Sequence, residues 1–260
     1  MAILTLEKAA KETVLTVQDY SLFAHRAAMN LFRPPVYWPE FLMQADIIGV
    51  GSLSIVVLAG ISTGGVLALQ SAATLSAFGA TAVTGQFVSM TMIRELGPVL
   101  TGIMVSGRNA SSMASELGSM VVTEQIDAMR ALGVDPIRKL VTPRIYACVF
   151  MLFFLTIVSD ACGILGGGAV TVFMNHQNGT QYLDMAWEHL HYPDIIQGLV
   201  KPLFFGYIIA TIGCFYGMRT TGGTQGVGHS TIQAVVTASV LIIFVDFFIT
   251  RFLLNVFPPL

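Results

Sequence analysis

Four ionisable residues stand inside long apolar stretches: Arg94 and Glu95 as neighbours, then Asp160 and Asp246 singly. A charge at the centre of a bilayer costs roughly 2.5–3.5 kcal/mol on insertion scales, so each must face protein or water. Arg94 and Glu95 fall about ten residues into their stretch, roughly 15 Å deep at helical rise. Neighbours in a helix point about 100° apart and cannot readily pair with each other. Each therefore needs a partner from elsewhere, which implies a polar cavity or a helix interface. Two adjacent charges are costly for packing alone and read as chemistry. Asp160 and Asp246 read first as polar glue between helices, with transport chemistry as the alternative. Pro98, four residues after Arg94, should kink that helix or loosen its hydrogen bonds beside the charges.

Other reactive residue types are sparse. Cys148, Cys162 and Cys214 are odd in number, lie in apolar stretches and match no zinc or CxxC spacing, so they read as small buried hydrophobes. Asp184, Glu188, His189, His191 and Asp194 include an HxH pair with metal-ligating types. An interfacial helix over Tyr182–Leu190 with a wet face explains the same residues, and no metal is expected. Asn178-Gly179-Thr180 is formally a glycosylation sequon and is read as chance. No lysine follows a glycine, so a GxxxxGK[ST] phosphate loop is absent, as are HExxH and GxSxG. No catalytic residue and no cofactor are expected in this chain.

The elements that must hold the charges follow from composition. Of 260 residues, 54% are hydrophobic and 11% charged, against about 25% charged in soluble domains. Mean hydropathy is +0.73. Such a chain cannot coat a water-facing surface, and its net charge of −2 offers no basic excess for nucleic acid. The expectation is an all-α integral membrane protein. A crossing needs roughly 20 mostly apolar residues, which places five spans near 47–70, 84–107, 145–174, 195–218 and 234–257. The uncharged run from Ile47 to Ile93 is too long for one span, and Ser71–Gly85 offers the turn. Met1–Lys11, followed by the mixed stretch Glu12–Asp19, lacks the apolar core of a signal peptide.

Lys and Arg set the orientation. Lys8, Lys11, Arg26 and Arg33 precede the first span, Arg130, Arg138, Lys139 and Arg144 lie between the second and third, and Arg219 follows the fourth. The loops 71–85 and 175–194 hold none. The amino terminus is therefore expected in the cytoplasm and the carboxyl terminus outside, with Lys201 and Arg251 snorkelling near outer span ends. Residues 1–40 form a separate interfacial segment and 41–260 the polytopic domain. In the former, Ala10, Val14, Val17, Ala24, Ala28 and Leu31 recur at helical spacing, with Ser21 the exception and Pro34-Pro35 as the stop. The helix lies on the membrane surface or packs on a partner. Gly60-x-x-x-Gly64, Gly163-x-x-x-Gly167 and Gly213-x-x-x-Gly217 mark close helix contacts.

Between the second and third spans, Thr123–Leu132 reads as a short amphipathic helix. Thr123 is its cap, Glu124 and Asp127 suit the positive end of the dipole, and Arg130 suits the other. Gly133 ends it and Pro136 prevents resumption. It is either a docking element or a loop helix lying on its own domain.

The tract RELGPV (Arg94–Val99), the following SGR, ELGSM and TEQIDAMRALGVDP (Thr123–Pro136) resembles, in order and spacing, the signature of MlaE-type permeases. These are the membrane subunits of ABC systems that move phospholipids and other lipids with MCE-domain proteins. The resemblance is strong over Gly60–Arg144 and weaker elsewhere; Val121 departs from it, where relatives commonly carry a basic residue. It implies a bacterial inner-membrane permease that forms a homodimer, with ABC ATPase subunits binding ATP and Mg below and a hexameric MCE ring above. Glu124, Gln125, Asp127 and Arg130 then belong to a coupling helix. Leu67, Leu75 and Phe78 match apolar lining of a lipid cavity, and Arg94 and Glu95 match its polar pair. The competing expectations are a proton-coupled carrier using Glu95, Asp160 and Asp246, and an intramembrane enzyme acting on lipids.

Overall fold

The computed structural model describes residues 2–31 and 37–257; of residues 2–10, 12 and 13 only the backbone is described. The described residues form helices and turns with no strand. In chain order the helices are α1 (Ala2–Leu31), α2 (Trp38–Ser76), α3 (Thr81–Val122), α4 (Gln125–Ala131), α5 (Ile137–Phe173), α6 (Gly179–Glu188), α7 (Tyr192–Met218) and α8 (Gly223–Val256). Five of them, α2, α3, α5, α7 and α8, are long and apolar enough to cross a membrane. The short helices α4 and α6 lie at opposite ends of this bundle.

The spans outrun their expected limits because polar residues satisfy themselves along the helix. In α2 the hydroxyls of Ser71, Thr74 and Ser76 donate to the carbonyls of Leu67, Gln70 and Ala73. Such back-bonding keeps serine and threonine helical in an apolar medium. The turn expected over Ser71–Gly85 shrinks to the few residues after Ser76, with Gly79 at φ +69°. Helix α3 continues well past Gly107 because the polar run after it is amphipathic. Met113, Ala114, Leu117 and Gly118 are buried, while Arg108, Ser112 and Ser115 face outward. At ordinary helical rise its 42 residues span about 60 Å, twice a hydrocarbon core of about 30 Å.

Glycine pairs bring the backbones together. A Cβ at Gly64 would strike the carbonyl of Gly163, one at Gly60 the carbonyl of Ser159, and one at Gly217 the backbone of Ala114. The first two small-residue motifs thus meet each other across α2 and α5, and the third meets α3. The larger apolar core joins α3, α5, α7 and α8 toward the α4 end. A smaller one, with Val88, Met92, Ile164, Tyr182 and Ala186, sits beneath α6.

The docked face of α1 is Tyr20, Phe23, Ala24, Ala27 and Leu31, which keeps Ala24 and Leu31 of the stripe read from the sequence but not Val14 or Val17. Tyr20 and Thr211 share a 3.0 Å hydroxyl hydrogen bond, Tyr207 donates to the Ala24 carbonyl at 2.6 Å, and Tyr146 donates to that of Leu31. Asp19 pairs with Arg219 at 2.6 Å. Tyr20 can be buried because its phenol has a partner, and this turns Ser21, Val14 and Val17 outward. The Pro34-Pro35 stop lies outside the described residues.

Candidate functional site

The charges Arg94 and Glu95 sit in a π turn, Met92–Leu96, within α3. Pro98 lacks an N–H, and its ring would collide with the carbonyl four residues back, that of Arg94. The wider turn relieves this: the Gly97 N–H donates to Met92 O, five residues back. The same device precedes Pro143, where Thr142 donates to Ile137 O.

Around the wide turn, successive residues address different neighbours. Ile93 faces an apolar cavity beside α5 and α7, Arg94 the start of α7, and Glu95 the Lys201 ammonium farther along α7. Leu96 faces a groove on α2, while Gly97 lies against the Asp160 carboxylate.

Arg94 donates from Nε to Asp194 Oδ1 at 2.8 Å and makes a second contact with the same oxygen through Nη2. Asp194 is only 2% exposed. Its other oxygen accepts the His191 N–H at 3.0 Å, closing a capping box at the start of α7. There the helix dipole also favours an anion. Asp194 is thus not the metal ligand entertained from the sequence. Among the described residues no three or more His, Cys, Asp or Glu side chains come together as a metal site. The helix read over Tyr182–Leu190 runs over Gly179–Glu188, with Asn178 as its cap.

Glu95 meets Lys201, whose Nζ lies 2.5 Å from Oε2, and Oε1 accepts from Thr250 at 3.3 Å. Lys201 also lies 3.1 Å from Asp246 Oδ1, an ion pair whose angles fall outside hydrogen-bond geometry. One ammonium therefore ties α3, α7 and α8 through two carboxylates. The sequence reading had Lys201 snorkelling, but it is 1% exposed. Nine residues past Tyr192 puts it about 14 Å along α7, too deep for its stem to reach that end. The signal was there: a lysine next to Pro202 well inside an apolar run. Asp246 does join helices, as expected. Asp160 does not, for its Oδ1 is buried without a hydrogen-bond partner.

Leu67 and Leu96 line a groove of about 350 Å³ with Ser62, Thr63, Val66 and Gln70. Leu75 is half-buried one residue before the end of α2, and Phe78 is 80% exposed on the turn. Arg94 lines a different pocket of about 300 Å³, with Gln86, His189, His191 and Gln197. These two cavities share no residue, so within one chain Leu67 and Arg94 are not brought together.

At the other end, Thr123 is not the cap of α4. Its hydroxyl turns back to Ser119 O at 2.9 Å, and the cap position is Glu124 at φ +59° with no side-chain cap. The left-handed residue breaks α3 and redirects the chain. Ile126 is buried, whereas Glu124, Gln125, Asp127 and Arg130 are exposed, with Asp127 and Arg130 paired at 2.8 Å. Gly133 at φ +77° ends the helix. The base of this excursion is tied by an ion pair that sequence reasoning missed: Arg144, 4% exposed, meets Glu116 at 2.7 Å and donates to Leu140 O.

Five apolar helices around intramembrane ion pairs, with a charged helix on a projecting stem, define a multi-pass α-helical membrane protein. The profile of the family described as Permease MlaE matches residues 41–252. A Rickettsia felis protein named as a probable ABC transporter permease is 40% identical over 241 residues, 93% of each chain. The Haemophilus influenzae intermembrane phospholipid transport system permease protein MlaE is 33% identical, covering 90% of this chain and 93% of that one. The chloroplastic Arabidopsis thaliana protein TRIGALACTOSYLDIACYLGLYCEROL 1 is 34% identical over 89% of this chain and 66% of its own. The chain belongs to the MlaE permease family, and it is an ABC transporter permease.

Proposed function

We propose that the chain is one half of a homodimeric permease that moves phospholipid, or a related lipid, between a bacterial inner membrane and an MCE-domain protein. ATP and Mg would be bound by separate ABC ATPase subunits. The observation that carries this reading is Glu95: its side chain is 40% exposed within a spanning helix. A half-open carboxylate at that depth requires water or another protein surface. A second copy would enclose it. Such a cavity would combine an apolar wall from Leu67, Leu75 and Phe78 with a polar patch from Arg94 and Glu95, as an amphiphile requires. The exposed row Val236, Val240, Phe244 and Phe247 on α8 supports an apolar contact between copies or with lipid. The phospholipid named for the Haemophilus influenzae relative supports the substrate class.

In this reading the α4 end lies in the cytoplasm, where Glu124, Gln125, Asp127 and Arg130 dock on the ATPase, and α6 lies on the MCE side. The first half of α1, with Val14 and Val17 exposed, rests on the cytoplasmic membrane surface.

The test is ATP-driven transfer of a fluorescent phospholipid by the reconstituted permease, ATPase and MCE protein. The double variant Arg94→Gln/Asp194→Asn keeps a neutral hydrogen-bonded pair while removing the charge. Transfer should fall about tenfold, the scale of one charge-assisted hydrogen bond, with assembly intact. Transfer that vanishes on collapse of the proton gradient, with ATP present, would overturn the reading in favour of a proton-coupled carrier.

A further inference from the structure

Asp160 has no place in the network just described. It is 7% exposed, with Oδ1 buried and unpartnered, and it takes part in no hydrogen bond or ion pair among the described residues. It lines a cavity of about 390 Å³ that is otherwise almost wholly apolar. Ile93 and Ile164 are buried in the cavity, Leu199 is half-buried, and Ile157, Leu165 and Trp187 form its exposed rim. Ligand pockets of about 300–1,000 Å³, mostly apolar with a few placed polar groups, are the usual form of a small-molecule site. The rim belongs to α5 and to α6, so the mouth opens on the flank of a spanning helix.

The carboxylate is held where it is by its surroundings. Gly97 gives it room: a Cβ there would collide with Oδ1. The same wide turn that sends Glu95 toward Lys201 therefore seats Asp160 at the cavity wall. A buried polar group without a partner costs about 1–3 kcal/mol, and the one side-chain donor in the lining, the Trp187 indole at the rim, makes no hydrogen bond to it.

The geometry points to a lipid-binding site on the flank of α5, α6 and α7, taking a neutral amphiphile whose hydroxyl donates a hydrogen bond to Asp160 and whose hydrocarbon fills the cavity. A phosphate headgroup would bury its charge at membrane depth in a lining that holds no cation to pair with it. An ammonium would itself have to shed its water at membrane depth, which costs far more than burying a hydroxyl. The site is separate from the Leu67 and Arg94 cavities and does not depend on what the permease transports.

The full-length permease in lipid nanodiscs is irradiated with a long-chain alcohol bearing a diazirine in its chain, or with the methyl ether of that compound. The ether keeps the shape and loses the donor. Peptides labelled within 157–165 and 183–199 are counted by mass spectrometry. The wild type should capture the alcohol about tenfold over the ether in these peptides. Asp160→Leu should abolish that preference, while Asp160→Asn, which keeps an acceptor, should retain most of it. Leu183→Trp, which fills the cavity mouth and leaves Asp160 intact, should lose capture of both probes and guards against misfolding of the Asp160 variants. Equal capture of alcohol and ether by the wild type, a preference that survives Asp160→Leu, or labelling undiminished by Leu183→Trp would each overturn the site. Because neither ATPase nor MCE protein is present, a failure here is distinct from a failure of lipid transfer.

Discussion

At the scale of the residue, charge balance inside the spans turns on Lys201. A single ammonium stands between Glu95 and Asp246, and it is the most buried of the three. Removing the lysine leaves two carboxylates at membrane depth with no cation. Breaking a buried pair by removing one partner costs about 3–5 kcal/mol, whereas replacing the whole group with neutral residues is often tolerated. Lys201→Met should therefore lower the thermal unfolding midpoint of the purified permease clearly, and Glu95→Gln/Lys201→Met/Asp246→Asn should recover most of the loss. An unchanged midpoint for the single variant would show that the three groups do not act together. The sequence exposed Arg94, Glu95 and Asp246 as costly intramembrane charges. It did not expose their partners, since Arg94 meets Asp194 100 positions away and Lys201 meets Glu95 106 positions away.

At the scale of the element, α3 joins the two ends of the molecule. Its π turn aims the charges and its packed stem carries the load through Met113, Ala114 and Leu117. The left-handed Glu124 then turns the chain into α4. Glu116–Arg144 ties the stem of α3 to the start of α5 beside α4. The exposed Asp127–Arg130 pair contributes only about 0.3–0.5 kcal/mol, so reversing charges on α4 leaves the fold untouched. Against a partner surface, like-charge juxtaposition costs several kcal/mol. Glu124→Lys/Asp127→Lys should insert and purify normally, yet recover much less ATPase on co-purification, and lipid should no longer stimulate hydrolysis. Wild-type recovery and wild-type hydrolysis would remove α4 from the docking role.

At the scale of the whole molecule, the single span α5 between α4 and α6 puts these two helices on opposite sides of the membrane. Met174 is 63% exposed just after α5, and Ser119 faces outward near the end of α3. Cysteines placed at these two positions should react with an impermeant maleimide from opposite faces, Met174→Cys from outside and Ser119→Cys only after permeabilisation. Cys148 and Cys214 are buried and contribute little background. Labelling of both positions from one face would refute five crossings.

The sequence alone determined the five crossings, the small-residue contacts and the family signature, because each rests on local quantities. These are transfer cost per residue, helical period, and a run of residue types in order. It could not determine which helices are neighbours, and the unexpected partners of side chains follow from that. Tyr20 rather than Val17 faces the bundle because Thr211 stands opposite to satisfy its hydroxyl. Lys201 is buried rather than snorkelling because two carboxylates on other helices meet it. Asp160 is left without a partner because Gly97, not a donor, occupies the facing position. Pairing in a bilayer is decided by three-dimensional adjacency, since water is not there to take the place of an absent partner.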